Sequence, residues 1–152
     1  MAENNVEISK EYPVESKAKL EAMIEETKKT REELDKLDDE IRYFTGSPSK
    51  DVVTRWGRVA VGSGNYLRKK LGKIVSALRN EEANRYLTIK IYTQEQGIKI
   101  TESYAQEEAT AYVAPLRTAK NILEAYVVSS DNVISICRMH LSSLQIESTV
   151  EL

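Results

Sequence analysis

The chain has few of the residues that catalysis and metal binding most often use. Its 152 residues include one histidine, His140, and one cysteine, Cys137. General acid–base catalysis near neutral pH most often uses histidine, and a structural zinc site needs four ligands. A lone cysteine builds no disulfide framework, so a reducing compartment is the expected setting. We therefore expect a non-enzymatic protein with no catalytic residue, no bound metal and no cofactor.

Long apolar runs are also missing. No stretch reaches the roughly 20 consecutive apolar residues that a membrane-spanning helix needs. The N-terminal residues MAENNVEISKEYPVE are acidic and lack the apolar segment of a secretory signal. These features predict a cytoplasmic protein with no membrane partner. From the chain length and from Pro13 we expect residues 1–14 to form a flexible tail and residues 15–152 a single helical domain, with a basic loop and helix segment at residues 45–79.

Aromatic residues are scarce except for tyrosine. The chain has one phenylalanine and one tryptophan but eight tyrosines. Tyrosine hydroxyls usually lie near water or a hydrogen-bond partner. This composition favours thin, elongated helical packing, or burial between subunits, over a thick globular core.

Apolar residues recur at heptad spacing in the first third of the chain. Two series, each with a step of seven residues, form an a/d pattern: Leu20, Thr27, Leu34, Ile41 and Met23, Thr30, Leu37, Phe44. The pattern predicts one helix, which the turn residues TGSP at positions 45–48 end. The partner of this helix is either another helix of the same chain or a second copy in a coiled coil.

Glycines predict that residues 45–65 are a loop, with a second helix starting near Tyr66. Residues 86–101 carry two competing signals. Their alternating β-branched residues are typical of a β-hairpin, whereas strong helical segments lie on both sides. The flanking segments favour a helix that continues to about Gln96 and ends at Gly97, with the hairpin as the alternative.

The last third predicts one long helix or two nearly collinear helices. From Ala105 to Leu144 small and apolar residues recur at alternating spacings of four and three. Pro115 and residues 129–132 are the places where a kink is expected. The stripe is shallow, so we expect it to hold a homo-oligomer. The predicted fold is all-α: an elongated helical hairpin with coiled-coil-like packing and a long C-terminal helix.

Positive charge is concentrated in one segment of an acidic chain. The formal net charge is −2, yet residues 50–79 contain 8 basic residues and 1 acidic residue. Within this segment, RWGRVAVGSGNYLRKK combines cations with one tryptophan, one tyrosine and three glycines. Cations for phosphates and aromatic rings for unstacked bases are what single-stranded nucleic acid requires.

Three other interpretations of the charged residues and of the glycines are open. The basic segment could pair with the acidic first helix of the same or a neighbouring subunit. The GSG sequence could form an anion-binding turn at a helix start, although it lacks the rest of a nucleotide-binding motif. The carboxylates in DKLDDE, residues 35–40, could hold a divalent ion, but a solvated helix flank explains them better.

A short motif adds a resemblance. The heptad helix ends in IRYFTG, residues 41–46, a basic segment follows, and LRTAKNILEAY and VISICRMHLSSL lie in a long helical tail. This layout resembles the UvsY-type recombination mediators of tailed phages, which carry a turn of the form R-x-x-Y-[YF]-[ST]-G. The resemblance implies a ring-like homo-oligomer in the host cytoplasm that binds single-stranded DNA and helps a RecA-like recombinase displace single-strand-binding protein. By position, the resemblance assigns Arg42, Tyr43 and Phe44 to the family's basic and aromatic turn. Asp38, Asp39 and Glu40 differ from the family, which tends to have basic residues there.

The two lines of reasoning together predict a non-enzymatic, oligomeric accessory protein that binds single-stranded DNA. The alternative is a helical scaffold, adaptor or virion assembly protein whose basic patch binds a protein partner. The candidate nucleic-acid-binding residues are Arg42, Tyr43, Lys50, Arg55, Trp56, Arg58, Tyr66, Arg68, Lys69, Lys70 and Lys73.

Overall fold

The computed structural model of the protein describes residues 8–150, and side chains as far as residue 147. Within these residues the chain forms five helices and no strand: α1 (Val14–Glu26), α2 (Lys28–Arg42), α3 (Lys50–Glu95), α4 (Glu102–Tyr112) and α5 (Ala114–Val150). The all-α prediction is confirmed. No helix in this part of the chain is both long enough and apolar enough to cross a membrane.

The first predicted helix is present as two helices that meet at Thr27. The side chain of Thr27 is fully buried, and its hydroxyl donates a hydrogen bond to the Ile24 carbonyl at 2.6 Å. The Arg31 Nε in turn donates to the Thr27 Oγ1 at 3.1 Å. The polar layer of the heptad pattern therefore marks the junction between α1 and α2. Helix α2 ends at Arg42, just before the predicted stop.

The predicted loop at residues 45–65 is wrong from Lys50 onward. Helix α3 starts there and runs for 46 residues, about 69 Å at 1.5 Å per residue. The Ser49 hydroxyl caps it by accepting a hydrogen bond from the Val52 N–H at 3.4 Å. Gly57 and Gly64 both face α5. A Cβ at position 64 would overlap Ser130, whereas a Cβ at position 57 would make an ordinary contact with Cys137 at 3.9 Å. Close packing thus offsets the low helix propensity of glycine.

The helical interpretation of residues 86–101 is confirmed, and the alternative hairpin does not form. Helix α3 continues to Glu95 and ends in a Schellman motif. The Ile98 N–H donates to the Thr93 carbonyl at 2.8 Å, and the Gly97 N–H donates to the Gln94 carbonyl at 3.2 Å. Gly97 has φ +68°, a conformation that glycine adopts without steric cost.

The long C-terminal pattern is divided into two helices near its start. Helix α4 ends at Tyr112 and α5 begins at Ala114, so the break lies beside Pro115. Proline is tolerated in the first turn of a helix because the N–H it lacks would have no partner there. Residues 129–132, the other predicted kink, remain helical.

The core lies between α3 and α5, which pack antiparallel as the predicted helical hairpin. The buried side of α3 meets the shallow stripe of α5, and both contribute to one cluster: Trp56, Ala60, Leu67, Ile74 and Leu78 with Leu116, Ala119, Leu123, Val127, Val133 and Cys137. The stripe that was expected to hold a homo-oligomer is therefore covered by α3 within the chain. The homo-oligomer itself stays a prediction.

The predicted N-terminal tail lies partly outside the described residues, which begin at Ile8. Of its described part, Ser9 and Tyr12 contact the helices. The Arg85 Nη2 donates to the Ser9 carbonyl at 2.6 Å, and the ring centres of Tyr12 and Tyr112 are 5.6 Å apart. Burial and a hydrogen bond to Glu81 raise the pKa of Tyr12. These contacts place residues 8–13 alongside the helices.

The Gly64 contact gives a stability prediction. A Cβ at position 64 would overlap the Ser130 Oγ and lie 3.1 Å from the Ser130 Cβ, and Ser130 is fully buried. Gly64→Ala must therefore displace the buried Ser130 side chain or move α3 away from α5, and we expect it to lower the free energy of unfolding by about 1–3 kcal/mol. Urea denaturation followed by circular dichroism measures the change.

Gly72→Ala is the matched control, because a Cβ at position 72 meets nothing within 4 Å. There the gain in helix propensity should raise the free energy of unfolding by about 0.5–1 kcal/mol. Equal stabilisation by both substitutions would mean that the Gly64–Ser130 contact does not set the separation of the helices.

Candidate nucleic-acid interface

The basic residues of the sequence segment lie on several sides of one helix. Arg55, Arg58, Lys69 and Lys73 fall within about 60° of one another around α3, at about 100° per residue. All four are exposed, and we call them the basic face. No acidic residue occurs between positions 52 and 80, so α3 itself places no carboxylate among these cations.

Three cations of the segment are already paired within the chain. Arg55 donates to the Glu40 carboxylate, with 3.1 Å between its Nη1 and Oε2, and Lys70 Nζ lies 2.6 Å from the Glu26 Oε2. Arg68 pairs with Asp131 of α5. The hydrogen bond with Glu26 raises the pKa of Lys70. The alternative prediction, in which the basic segment pairs with the acidic first helix, is thus correct for Arg55 and Lys70 within one chain.

The other cations of the segment have no ion pair. Among the described residues, no carboxylate lies within 4 Å of the charged groups of Lys50, Arg58, Lys69, Lys73 or Arg79. Arg58, Lys69 and Lys73 belong to the basic face. These three cations are therefore open to an external anion.

Trp56 does not form the exposed stacking surface that its place in the basic segment suggested. Its side chain is 1% exposed, and its indole Nε1 donates to the Glu40 Oε1 at 3.0 Å. The Phe44 ring meets it edge-on, with centroids 5.2 Å apart. Trp56 is a core residue that joins the end of α2 to the start of α3. It cannot contact an unstacked base.

Two tyrosines among the candidate residues remain accessible. Tyr43, at the end of α2, is 72% exposed, and Tyr66 on α3 is 38% exposed. The Tyr66 hydroxyl lies 3.4 Å from the Glu26 carbonyl, and the Lys70 Nζ lies 5.6 Å from the Tyr66 ring centre. Arg42, beside Tyr43, pairs with Asp38 at 3.0 Å. Tyr66 is thus the accessible aromatic residue nearest in sequence to the unpaired cations of the basic face.

A groove between α2 and α3 was not apparent from the sequence. It has a volume of about 270 Å³ and lies beside the basic face. Its lining residues are Thr30, Glu33, Arg58, Val59, Gly62, Ser63 and Tyr66. The heptad spacing of Glu26, Glu33 and Glu40 is the sequence signal that could have drawn attention to it.

The anion-binding turn considered at GSG does not form. Gly62 and Gly64 lie inside α3, where their backbone N–H groups serve the helix and no helix start is present. Gly64 faces α5, whereas Gly62 lies at the groove. The lack of a side chain lets α5 approach α3 at Gly64 and leaves open space in the groove at Gly62.

The residues considered for metal binding are used in other ways. Cys137 is buried, and burial raises the pKa of its thiol. The Asp35 carboxylate accepts a hydrogen bond from the Tyr126 hydroxyl at 3.0 Å, and Asp38 pairs with Arg42. No cluster of three or more His, Cys, Asp or Glu side chains suited to a metal occurs in the described residues.

Comparison of the chain with protein-family models, with curated proteins and with solved structures finds no match.

The burial of Trp56 gives a second prediction. Trp56→Ala should lower the free energy of unfolding by about 3–5 kcal/mol, because it leaves a cavity and removes a buried hydrogen bond. Tyr43→Ala is the control, since a largely exposed ring should change stability by no more than about 0.5 kcal/mol. Chemical denaturation compares the two variants. Similar small effects would contradict the core role of Trp56.

Glu40 gives a pH prediction. Hydrogen bonds from Arg55 and Trp56 hold the pKa of Glu40 below its usual range. A carboxylate with a lowered pKa in the folded state stabilises the protein above its unfolded pKa, and this contribution is lost as the pH falls through the folded pKa. Glu40→Gln should therefore lower the free energy of unfolding at pH 7 by at most about 1 kcal/mol, and the difference should shrink below about pH 4.

Denaturation curves across this pH range measure the difference between wild type and variant. Glu32→Gln is the control, since Glu32 is exposed and has no ion pair with any described residue. A Glu40→Gln difference that stays constant down to about pH 3 would show that the charge of Glu40 contributes nothing.

Proposed function

We propose that the protein is a non-enzymatic accessory protein that binds single-stranded DNA along the basic face of α3. The observation that carries the proposal is the set of three exposed, unpaired cations on one side of a continuous helix: Arg58, Lys69 and Lys73. Phosphate contacts by lysine and arginine supply most of the affinity of non-specific nucleic-acid binding. The absence of acidic residues between positions 52 and 80 of α3 keeps negatively charged side chains of this helix away from the phosphates.

The spacing of these cations suits an extended strand. Lys69 and Lys73 are one turn apart, about 6 Å along the axis, and Arg58 lies about 16 Å from Lys69 at 1.5 Å per residue. Tyr66 lies between them in the sequence and offers a half-exposed ring for stacking. Base stacking on an aromatic side chain is a sequence-tolerant contact that favours single strands over duplexes.

The resemblance to UvsY-type mediators supports a narrower version of the proposal. In that version the protein is a phage-encoded mediator in the host cytoplasm, with a recombinase and a single-strand-binding protein as partners. A homo-oligomer would no longer use the stripe buried by α3. The outward side of α5, where Val128 and Met139 are more than half exposed, is the surface that could serve instead.

A second candidate function is that of a helical scaffold or adaptor. An apolar groove of about 610 Å³ between α1 and α5 favours it. Leu20, Ile24, Pro115, Ala119 and Ile122 contribute to its lining. Grooves of this kind accept the apolar side of a partner helix. In this function the cations of α3 would meet acidic groups of a protein.

Salt dependence tests the DNA-binding proposal. If three cations each meet a phosphate of a single strand, the slope of log affinity against log salt should be about −2. Raising the salt fourfold from about 50 mM should then weaken binding roughly twentyfold. Fluorescence anisotropy with labelled single-stranded and double-stranded oligonucleotides measures both values.

Lys69→Ala should flatten the slope by about 0.7, because one fewer counterion is released. Lys99→Ala is the matched control, since Lys99 is an exposed lysine in the connection between α3 and α4 and should leave the slope unchanged. A wild-type protein that ignores oligonucleotides at about 50 mM salt would reject the proposal and favour the adaptor.

A further inference from the structure

Three glutamates at regular spacing lie along α3, and the middle one has no cationic partner on that helix. Glu26, Glu33 and Glu40 are seven residues apart along α1 and α2. Glu26 pairs with Lys70 and Glu40 pairs with Arg55 on the antiparallel α3. The position opposite Glu33 is therefore midway between residues 55 and 70, at Gly62 and Ser63.

This position lies at the groove between α2 and α3 described above. Where a third cation would complete the series, the chain has a glycine, and a Cβ at position 62 would meet nothing within 4 Å. Arg58 and Glu33 both line the groove but do not form an ion pair. A carboxylate and a guanidinium thus stand at one groove without neutralising each other.

Two of the three hydroxyl groups of the groove also lack partners among the described residues, whereas the third, that of Tyr66, lies 3.4 Å from the Glu26 carbonyl. The side chains of Thr30 and Ser63 make no hydrogen bond to any described residue, although Ser63 is only 7% exposed. Several other helical serines bond back to their own helix, as Ser135 does to the Asp131 carbonyl at 3.0 Å. These hydroxyls and the two unpaired charged groups therefore supply the groove with hydrogen-bond donors and acceptors that an external ligand can use.

We infer that this groove binds one unstacked base of the DNA strand and that it prefers guanine. The inference rests on the proposed function. Guanine is the base that presents two adjacent N–H donors, at N1 and N2, on its Watson–Crick edge, and the Glu33 carboxylate accepts both. Adenine and cytosine offer one amino donor beside an acceptor nitrogen, and thymine offers one N–H between two carbonyls.

The other groove residues fit the same ligand. Single-stranded bases are held by stacking on aromatic rings and by hydrogen bonds to their Watson–Crick edges, and Tyr66 supplies the ring. Arg58 lies at the groove and on the basic face, so it can reach the phosphate of the bound nucleotide. The volume of about 270 Å³ is below the roughly 300–1,000 Å³ of pockets for larger ligands, which agrees with a single base.

The test compares oligonucleotides of about 20 thymines, longer than the site of one binding module. In three of them every fourth thymine is replaced by guanine, inosine or adenine. Anisotropy titrations of the full chain should show the guanine strand binding roughly fivefold or more tightly than the adenine strand. The inosine strand should be intermediate, because inosine keeps the N1–H donor and lacks the N2 amino group.

Two variants test the groove itself. Glu33→Gln should abolish the preference for guanine while keeping or raising affinity for the thymine strand, since it removes a negative charge beside the phosphates. Gly62→Leu should fill the groove and abolish the preference while the thymine strand still binds. Glu32→Gln is the control and should retain the preference, because Glu32 does not line the groove.

The outcomes separate this inference from the proposed function. Equal, salt-dependent binding of all four strands by the wild type would overturn the inference and leave the proposed function standing. A Glu33→Gln variant that raises affinity for all strands by one common factor would also overturn it, because Glu33 would then act only as a repelling charge. Absence of binding to every strand would reject both.

Discussion

The close antiparallel contact of α3 with α5 is the constraint on which the rest of the structure depends. Gly64 has no side chain, and Ser130 of α5 occupies the space that a Cβ would need. This approach allows α3 to pack closely on the apolar stripe of α5, with Leu67 and Leu123 fully buried. A shallow stripe of small residues is therefore sufficient for an elongated core.

The same contact decides which basic residues reach solvent. Once one side of α3 faces α5 and a second side faces α2, the remaining side is exposed, and it carries Arg58, Lys69 and Lys73. Trp56 is one position from Arg55 in sequence but lies about 100° away around the helix, so it is buried while Arg55 is exposed. Residues that are contiguous in the sequence thus separate into a core side and a charged side.

The acidic helices modify the charge of α3 without cancelling it. Glu26 and Glu40 each pair with one cation, and such exposed pairs contribute little to stability. The two pairs lie on either side of the groove at Glu33, while the buried contacts of Leu34 and Leu37 with the core hold α2 against α3. The groove with its unpaired polar groups follows from this packing and from the glycine at position 62.

Local features of the sequence determined the helical class, the stop after α2 and the end of α3 at Gly97. These depend on apolar periodicity and on the positive φ of Gly97, both of which are properties of short segments. The helix through Gly57, Gly62 and Gly64, the burial of Trp56 and the groove at Glu33 were decided only by the tertiary structure. Glycine weakens an isolated helix, and a tryptophan among cations suggests an exposed ring. The sequence alone does not show that α5 and α2 cover two sides of α3. Because of this packing, the glycine-containing segment is helical and the Trp56 ring is buried.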